Sequence, residues 1–315
     1  MFPLTLTHTS VRRTATVVLA GGLLLTASPL TAPAHAATRP APKISGAAGY
    51  LMDLKTGKSV FSKSDSTRRQ MASTTKVATA ITVLTTKGLD LNRKLTVKQS
   101  YRDYVAREKG STADLKTGDK LTVRQLLHAL MLPSGCDAAY ALADAFGKGT
   151  TTAARTKSFI GMMNKKAADL KLKNTKFDSF DGISPGGQNY TTPSDLTKLA
   201  KHAFSNQLFR DVVKTRTYHA TATAANGKKR YYTWTNTNTL LGSYQGMVGI
   251  KTGSGSKAGK CLVFAATRGS KTYIGVVLNG PDRFRDAEKM LNHAFGTTGA
   301  KSVKLRTMPV DAPRD

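Results

Sequence analysis

Apolar and polar positions alternate near both ends of this chain, and the long middle repeats at helical spacing. Ala48–Asp53 (AGYLMD) and residues 59–62 (SVFS) flank Lys55-Thr56-Gly57-Lys58, which predicts a β-hairpin. Residues 261–268 and 271–279 are β-rich runs joined by Gly269-Ser270, a second short hairpin. Between these ends the period is that of a helix. From Ser73 onward Val77, Ile81 and Leu84 share a face, and Gly88 supplies a stop. Thr122 and Gln125 are spaced as a capping box, ahead of a stripe of Val123, Leu126, Leu127, Leu130 and Met131 that Pro133 ends. Thr192-Pro193-Ser194-Asp195 opens a third helix, carried by Leu196, Leu199, Ala200 and Ala203. Ala287, Met290, Leu291 and Ala294 form a last amphipathic face. All these stripes are read as core packing.

Strands, a helical stretch, then strands and a helix argue for an α+β fold with an antiparallel sheet. The simplest arrangement puts both hairpins in one sheet flanked by helices, with a mostly helical region, about 73–240, inserted between its strands. No repeat of solenoid length is present. Arg12-Arg13, the apolar run 15–25 and Ala34-His35-Ala36 describe a secretory signal peptide over 1–36, with an apolar segment too short for a transmembrane anchor. Residues 37–46 then read as a flexible leader and 47–296 as a single catalytic domain. The stretch 297–315, which has no period, reads as a disordered tail.

Charge sharpens this picture. The 315 residues carry 48 Lys+Arg against 19 Asp+Glu, a net +29 that becomes +27 when the two leader arginines are removed. Such a balance calls for an anionic partner. The basic residues are spread along the chain without a helix-turn-helix, zinc finger or aromatic-basic platform, so nucleic acid is excluded and anionic cell-wall polymers are expected. Two cysteines cannot make a disulfide scaffold or a cysteine-based zinc site. Four histidines beyond the leader (His128, His202, His219, His293) lie far apart without H-E-x-x-H. No metal or other cofactor is expected.

Three short motifs carry chemistry. Ser73-Thr74-Thr75-Lys76 starts a helix, where positions i and i+3 share a face, so hydroxyl and amine can touch. A serine is a poor nucleophile until a base takes its proton, and lysine does this when burial or a neighbouring cation favours its neutral form. A capping serine beside a surface lysine fits poorly, because the first turn disfavours a cation. Ser134-Gly135-Cys136 lies in a turn between two helices, where a hydroxyl can be aimed into a cleft. Lys251-Thr252-Gly253 follows an apolar strand and leads into Ser254, and the glycine lets a substrate backbone come close.

In this order, S-x-x-K, S-x-N-like and K-T-G resemble the serine D-alanyl-D-alanine peptidases, the low-molecular-mass penicillin-binding proteins. The resemblance extends over residues 70–76, 121–146, 191–204 and 246–262, Asn236 to Leu241, and Arg283-Phe284. It implies the penicillin-binding protein and β-lactamase fold. It further implies that Ser73 attacks the penultimate D-Ala carbonyl of peptidoglycan stem peptides ending in D-Ala-D-Ala, with Lys76 as base beside the positive Lys251. Ser134 would relay a proton to the leaving amine, and backbone N–H groups of Ser73 and Ser254 would form the oxyanion hole. Lys251, Thr252 and Ser254, next to Gly253, would hold the terminal carboxylate, with Arg283 assisting electrostatically. β-Lactams would acylate Ser73.

Cys136 stands where the family usually has Asn, and a thiol is a weak donor and weak acceptor. It is read as a substrate contact, with a disulfide to Cys261 or a nucleophilic role as alternatives; no histidine motif supports the latter. A β-lactamase of the same fold would need a glutamate between the second and third motifs, and none lies between Ser134 and Lys251. A nucleophile elbow, G-x-S-x-G, is absent. A non-catalytic wall-binding protein explains charge and export but not three motifs in order.

Overall fold

Hydrophobic alternation on the two terminal hairpins resolves into one sheet with both faces covered. The structure is a computed structural model that describes residues 40–297, 299, 301–310 and 312; the leader 1–36 lies outside them. Strands β1 (Ala48–Asp53), β2 (Ser59–Lys63), β9 (Met247–Gly255), β10 (Gly259–Arg268) and β11 (Lys271–Leu278) form an antiparallel sheet in the order β2-β1-β11-β10-β9. Leu51 faces Gly275 and Phe264 faces Ile250 across it. Successive side chains point to opposite faces. Leu262, Phe264 and Val277 therefore pack with helix α8 (Arg283–Phe295) through Met290 and Leu291. Val263, Ala265, Ile274 and Val276 pack into the larger core on the other side.

That second core belongs to the helical region. Helix α1 (Lys76–Leu84) buries Val77, Ala78, Ala80, Ile81 and Val83, a helix apolar nearly all round and hence central. Around it lie α3 (Val123–Met131), α4 (Cys136–Phe146), α5 (Thr152–Asp169) and α6 (Pro193–Phe204). The capping box forms: Thr122 accepts from the Gln125 N–H, and the Gln125 side chain accepts from the Thr122 N–H. Thr192 caps α6 by accepting from the Asp195 N–H.

The inserted region also holds strands that hydrophobic spacing alone leaves hidden. β4 (Lys94–Thr96), β5 (Lys120–Thr122), β7 (Thr217–Thr223) and β8 (Lys229–Thr235) make a four-stranded sheet in that order. β7 and β8 turn at Asn226-Gly227, with Gly227 at φ +80°, the chemistry of a tight hairpin. The C-terminal stretch adds no regular element among its described residues, yet it is held in place. The Val303 N–H donates to Glu288 Oε1 at 2.8 Å, and Val303 and Leu305 pack on the cluster beneath α8. Ser45 and Gly46 are likewise tied to Asp286, whose carboxylate accepts both backbone N–H groups at 2.7 Å. No helix among the described residues is long and apolar enough to cross a membrane.

Candidate active site

Ser73 lies in a single 3-10 turn, Ala72–Thr75, that feeds α1. Ala72 before it takes φ +45°, a backbone that non-glycine residues hold only when their surroundings demand it. The turn brings Lys76 Nζ to 2.8 Å from Ser73 Oγ. The lysine is fully buried, and its amine also donates to the Asp181 carbonyl at 2.9 Å and to Cys136 Sγ at 3.4 Å. The candidate nucleophile and the candidate base are therefore in contact.

The second wall is the Ser134-Gly135-Cys136 turn between α3 and α4. Gly135 is required there, since an added Cβ would stand 2.6 Å from Asp137 Oδ1 and 2.9 Å from the Ala129 carbonyl. The buried Asp137 carboxylate accepts the N–H groups of Ala113 and Leu115, each at 3.0 Å, and fixes the loop opposite the turn. Ser111 completes the clamp, donating its hydroxyl to Ser134 O and accepting from the Cys136 N–H. Ser134 itself is fully buried at φ +68°, and its hydroxyl has no hydrogen-bond partner among the described residues. An orphaned hydroxyl in a costly backbone conformation is what a group kept for chemistry would show.

The third wall is β9. Gly253 packs against the 3-10 turn ahead of α1 so closely that a Cβ would lie 2.9 Å from both the Ser73 and Thr74 nitrogens. Lys251 is buried, with its ammonium donating to Thr252 O at 3.0 Å. The Thr252 hydroxyl shares a 2.5 Å bond with that of Thr237. Arg283 approaches β9 from α8. Its Nη1 donates to Gly253 O at 2.8 Å and Ser254 Oγ at 2.9 Å, so it orients Ser254 from outside the cleft.

The three walls border a cleft of about 600 Å³ lined by Ser73, Ser254, Glu108 and Lys257, with the buried Cys136 and Asn189 beneath its surface. Spacing did not reveal the fourth wall, residues 178–189. Asp181 supplies the carbonyl for Lys76, and Tyr104 donates to its buried carboxylate at 3.0 Å. Gly182, at φ +102°, lets this loop close on the nucleophile; a Cβ there would sit 2.0 Å from Ala72 O. A Gly-, Ser- and Pro-rich stretch this long between helices was its only sequence signal.

Cys136 and Cys261 are both free and buried, so the disulfide alternative falls. Burial pushes the Cys136 thiol up to about 12, only partly offset by Lys76, and so favours the thiol at neutral pH. This argues against the nucleophilic alternative, because the thiolate is the reactive form. As a weak hydrogen-bonding group beside Lys76, it leaves room for improvement. Cys136→Asn is expected to raise the penicillin acylation rate about five- to tenfold, the worth of one gained hydrogen bond. Stopped-flow acylation and product ratios check this, and a variant with both unchanged removes Cys136 from the substrate contacts.

A serine in contact with a buried lysine, with a second serine and a glycine-bearing strand around one cleft, is the arrangement of an acyl-transfer serine hydrolase. A family model described as D-alanyl-D-alanine carboxypeptidase matches residues 34–282. The D-alanyl-D-alanine carboxypeptidase of Streptomyces sp. (strain K15) is 53% identical over 290 residues, covering 90% of this chain and 99% of that protein. DacB2 of Mycobacterium tuberculosis, with the same description, is 32% identical over 260 residues, 80% of this chain and 83% of its own. The crystal structure of the Streptomyces K15 DD-transpeptidase superposes with a TM-score of 0.80 at 54% identity, covering 82% of this chain and 99% of that one. The chain belongs to the D-alanyl-D-alanine carboxypeptidase family, and it is a serine peptidase of the penicillin-binding class.

Proposed function

We propose that Ser73 carries the acyl group in the cleavage of peptidoglycan stem peptides ending in D-Ala-D-Ala. Ser73 Oγ attacks the penultimate D-Ala carbonyl carbon as its proton passes to Lys76 Nζ. Backbone N–H groups of Ser73 and Ser254 receive the oxyanion, a contact worth about 3 kcal/mol per donor. Ser134 hands its proton to the leaving nitrogen and takes one back from Lys76 Nζ, which returns to the neutral amine; the peptide C–N bond breaks, and the terminal D-Ala departs. Lys251, Thr252 and Ser254 hold the departing carboxylate, while Gly253 admits the substrate backbone. Water or a peptide amine then attacks the Ser73 ester and restores the hydroxyl. A β-lactam enters the same route, its ring amide opening onto Ser73.

The observation that carries this reading is the 2.8 Å contact between Lys76 Nζ and Ser73 Oγ at the cleft floor. Product analysis with a D-Ala-D-Ala peptide tests it. D-Ala is released with or without an added amine, and the amide product forms only with it. Release that persists in Ser73→Ala contradicts the assignment. We further propose that residues 1–36 export the chain and that its charge holds it to anionic wall polymers. Retention on isolated walls in high salt would argue against the second point, because such binding is screened.

A further inference from the structure

Beyond the catalytic cleft, a second hollow lies where the C-terminal stretch crosses the segment leading into β9. Its volume is about 340 Å³, and Arg216, Thr217 and Arg306 line it. Both arginines hang from one short run of backbone. The Arg306 N–H donates to Thr239 O at 3.3 Å and its Nη2 to Asn236 O at 2.5 Å, while the Asn236 N–H donates to Arg216 O at 2.8 Å. Arg216 lies flat over Gly242, where a Cβ would stand 3.0 Å from its Nη1 and 3.2 Å from its Cδ.

Among the described residues, neither guanidinium forms an ion pair with a carboxylate. Exposed unpaired cations are ordinary in a chain this basic. Arg306 differs because it is half-buried beside a second guanidinium and its Nε is buried without a hydrogen-bond partner. Burial, and then the charge of Arg216, pull its proton affinity below the usual arginine range. Such an arrangement is unfavourable when empty and is relieved by an anion.

We propose that the Arg216–Arg306 hollow binds a phosphate group, free or esterified. A carboxylate has two oxygens and is filled by the Arg216 fork alone, whereas a tetrahedral phosphate accepts from that fork, from Arg306 Nη1 and from a hydroxyl together, Arg306 Nη2 being engaged by Asn236 O. Thr217 supplies the hydroxyl. The volume is on the order of ten water volumes, ample for the group. This inference stands apart from the peptidase assignment, since no residue of the hollow belongs to that cleft.

Calorimetric titration of the full chain in about 0.15 M chloride, which screens diffuse attraction, tests it. Inorganic phosphate and a glycerol-phosphate oligomer are the two probes, with acetate as the carboxylate comparison. The expected result is saturable one-site phosphate binding that weakens at least about tenfold in Arg216→Gln and in Arg306→Gln. Lys173→Gln and Lys228→Gln, which remove equal charge elsewhere, leave it unchanged. Arg306→Lys keeps the charge and loses the guanidinium that Asn236 O anchors, so it weakens binding even if Arg306→Gln fails to fold. Binding of the oligomer with the same arginine dependence identifies an ester as the source, and binding of inorganic phosphate alone identifies the free ion. Absence of saturable binding, equal loss in the lysine variants, or acetate binding as tightly as phosphate overturns the proposal. Penicillin acylation should be unaltered in every variant.

Discussion

Replacing Lys76 by methionine is expected to slow acylation of Ser73 by penicillin about 10³- to 10⁴-fold, near the upper end for loss of a positioned base. The lysine is fully buried, and its amine nitrogen lies 2.8 Å from Ser73 Oγ. Methionine has a similar length and flexibility, so it fills the space without offering an acceptor for the serine proton. The loss should be confined to chemistry. The substitution removes a buried polar group together with its hydrogen bonds to the Asp181 carbonyl and Cys136 Sγ, so the thermal midpoint should change little. Rapid-mixing acylation alongside a thermal melt checks both halves. Acylation within about tenfold of wild type would mean that another group takes the proton.

The second large effect is expected from the smallest possible side-chain addition, Gly253→Ala. The new methyl would stand 2.9 Å from the Ser73 and Thr74 nitrogens and 3.2 Å from Met71 O. These are backbone atoms, which cannot swing aside as a side-chain tip does. The strand must move away from the 3-10 turn ahead of α1, widening the space between the Ser73 and Ser254 N–H groups. Because an oxyanion donor is worth about 10²- to 10³-fold, acylation should fall by about 10²-fold or more. The two effects are separable: slower acylation with unchanged helix and sheet content follows from a displaced strand. Acylation within about twofold of wild type would show that the contact between β9 and that turn does not set the geometry.

Much of this was legible from residue order. The terminal hairpins announced themselves by period-two alternation, and their sharing of one sheet followed from the need to cover both faces. Leu262 and Phe264 facing α8, with Val263 and Ala265 turned to the other core, is that alternation made solid. The capping box at Thr122 and the cap at Thr192 formed because short-range hydrogen bonds depend little on the rest of the chain.

Other parts left little trace. β4 and β5 are three residues each, too short for any period. β7 and β8 alternate only weakly, although Asn226-Gly227 was a usable turn signal. The contribution of Asp181 to Lys76 is a main-chain carbonyl, which every residue type possesses and which therefore has no side-chain signature. The seating of Val303 and Leu305 depends on an apolar surface built by distant residues, so local spacing read that stretch as disordered.

The most direct test of the central assignment is mass spectrometry of the intact protein after incubation with penicillin, followed by peptide mapping. One penicilloyl group should be found, on Ser73, with Cys136 unmodified. No adduct, or an adduct on any other residue, would contradict Ser73 as the acyl carrier.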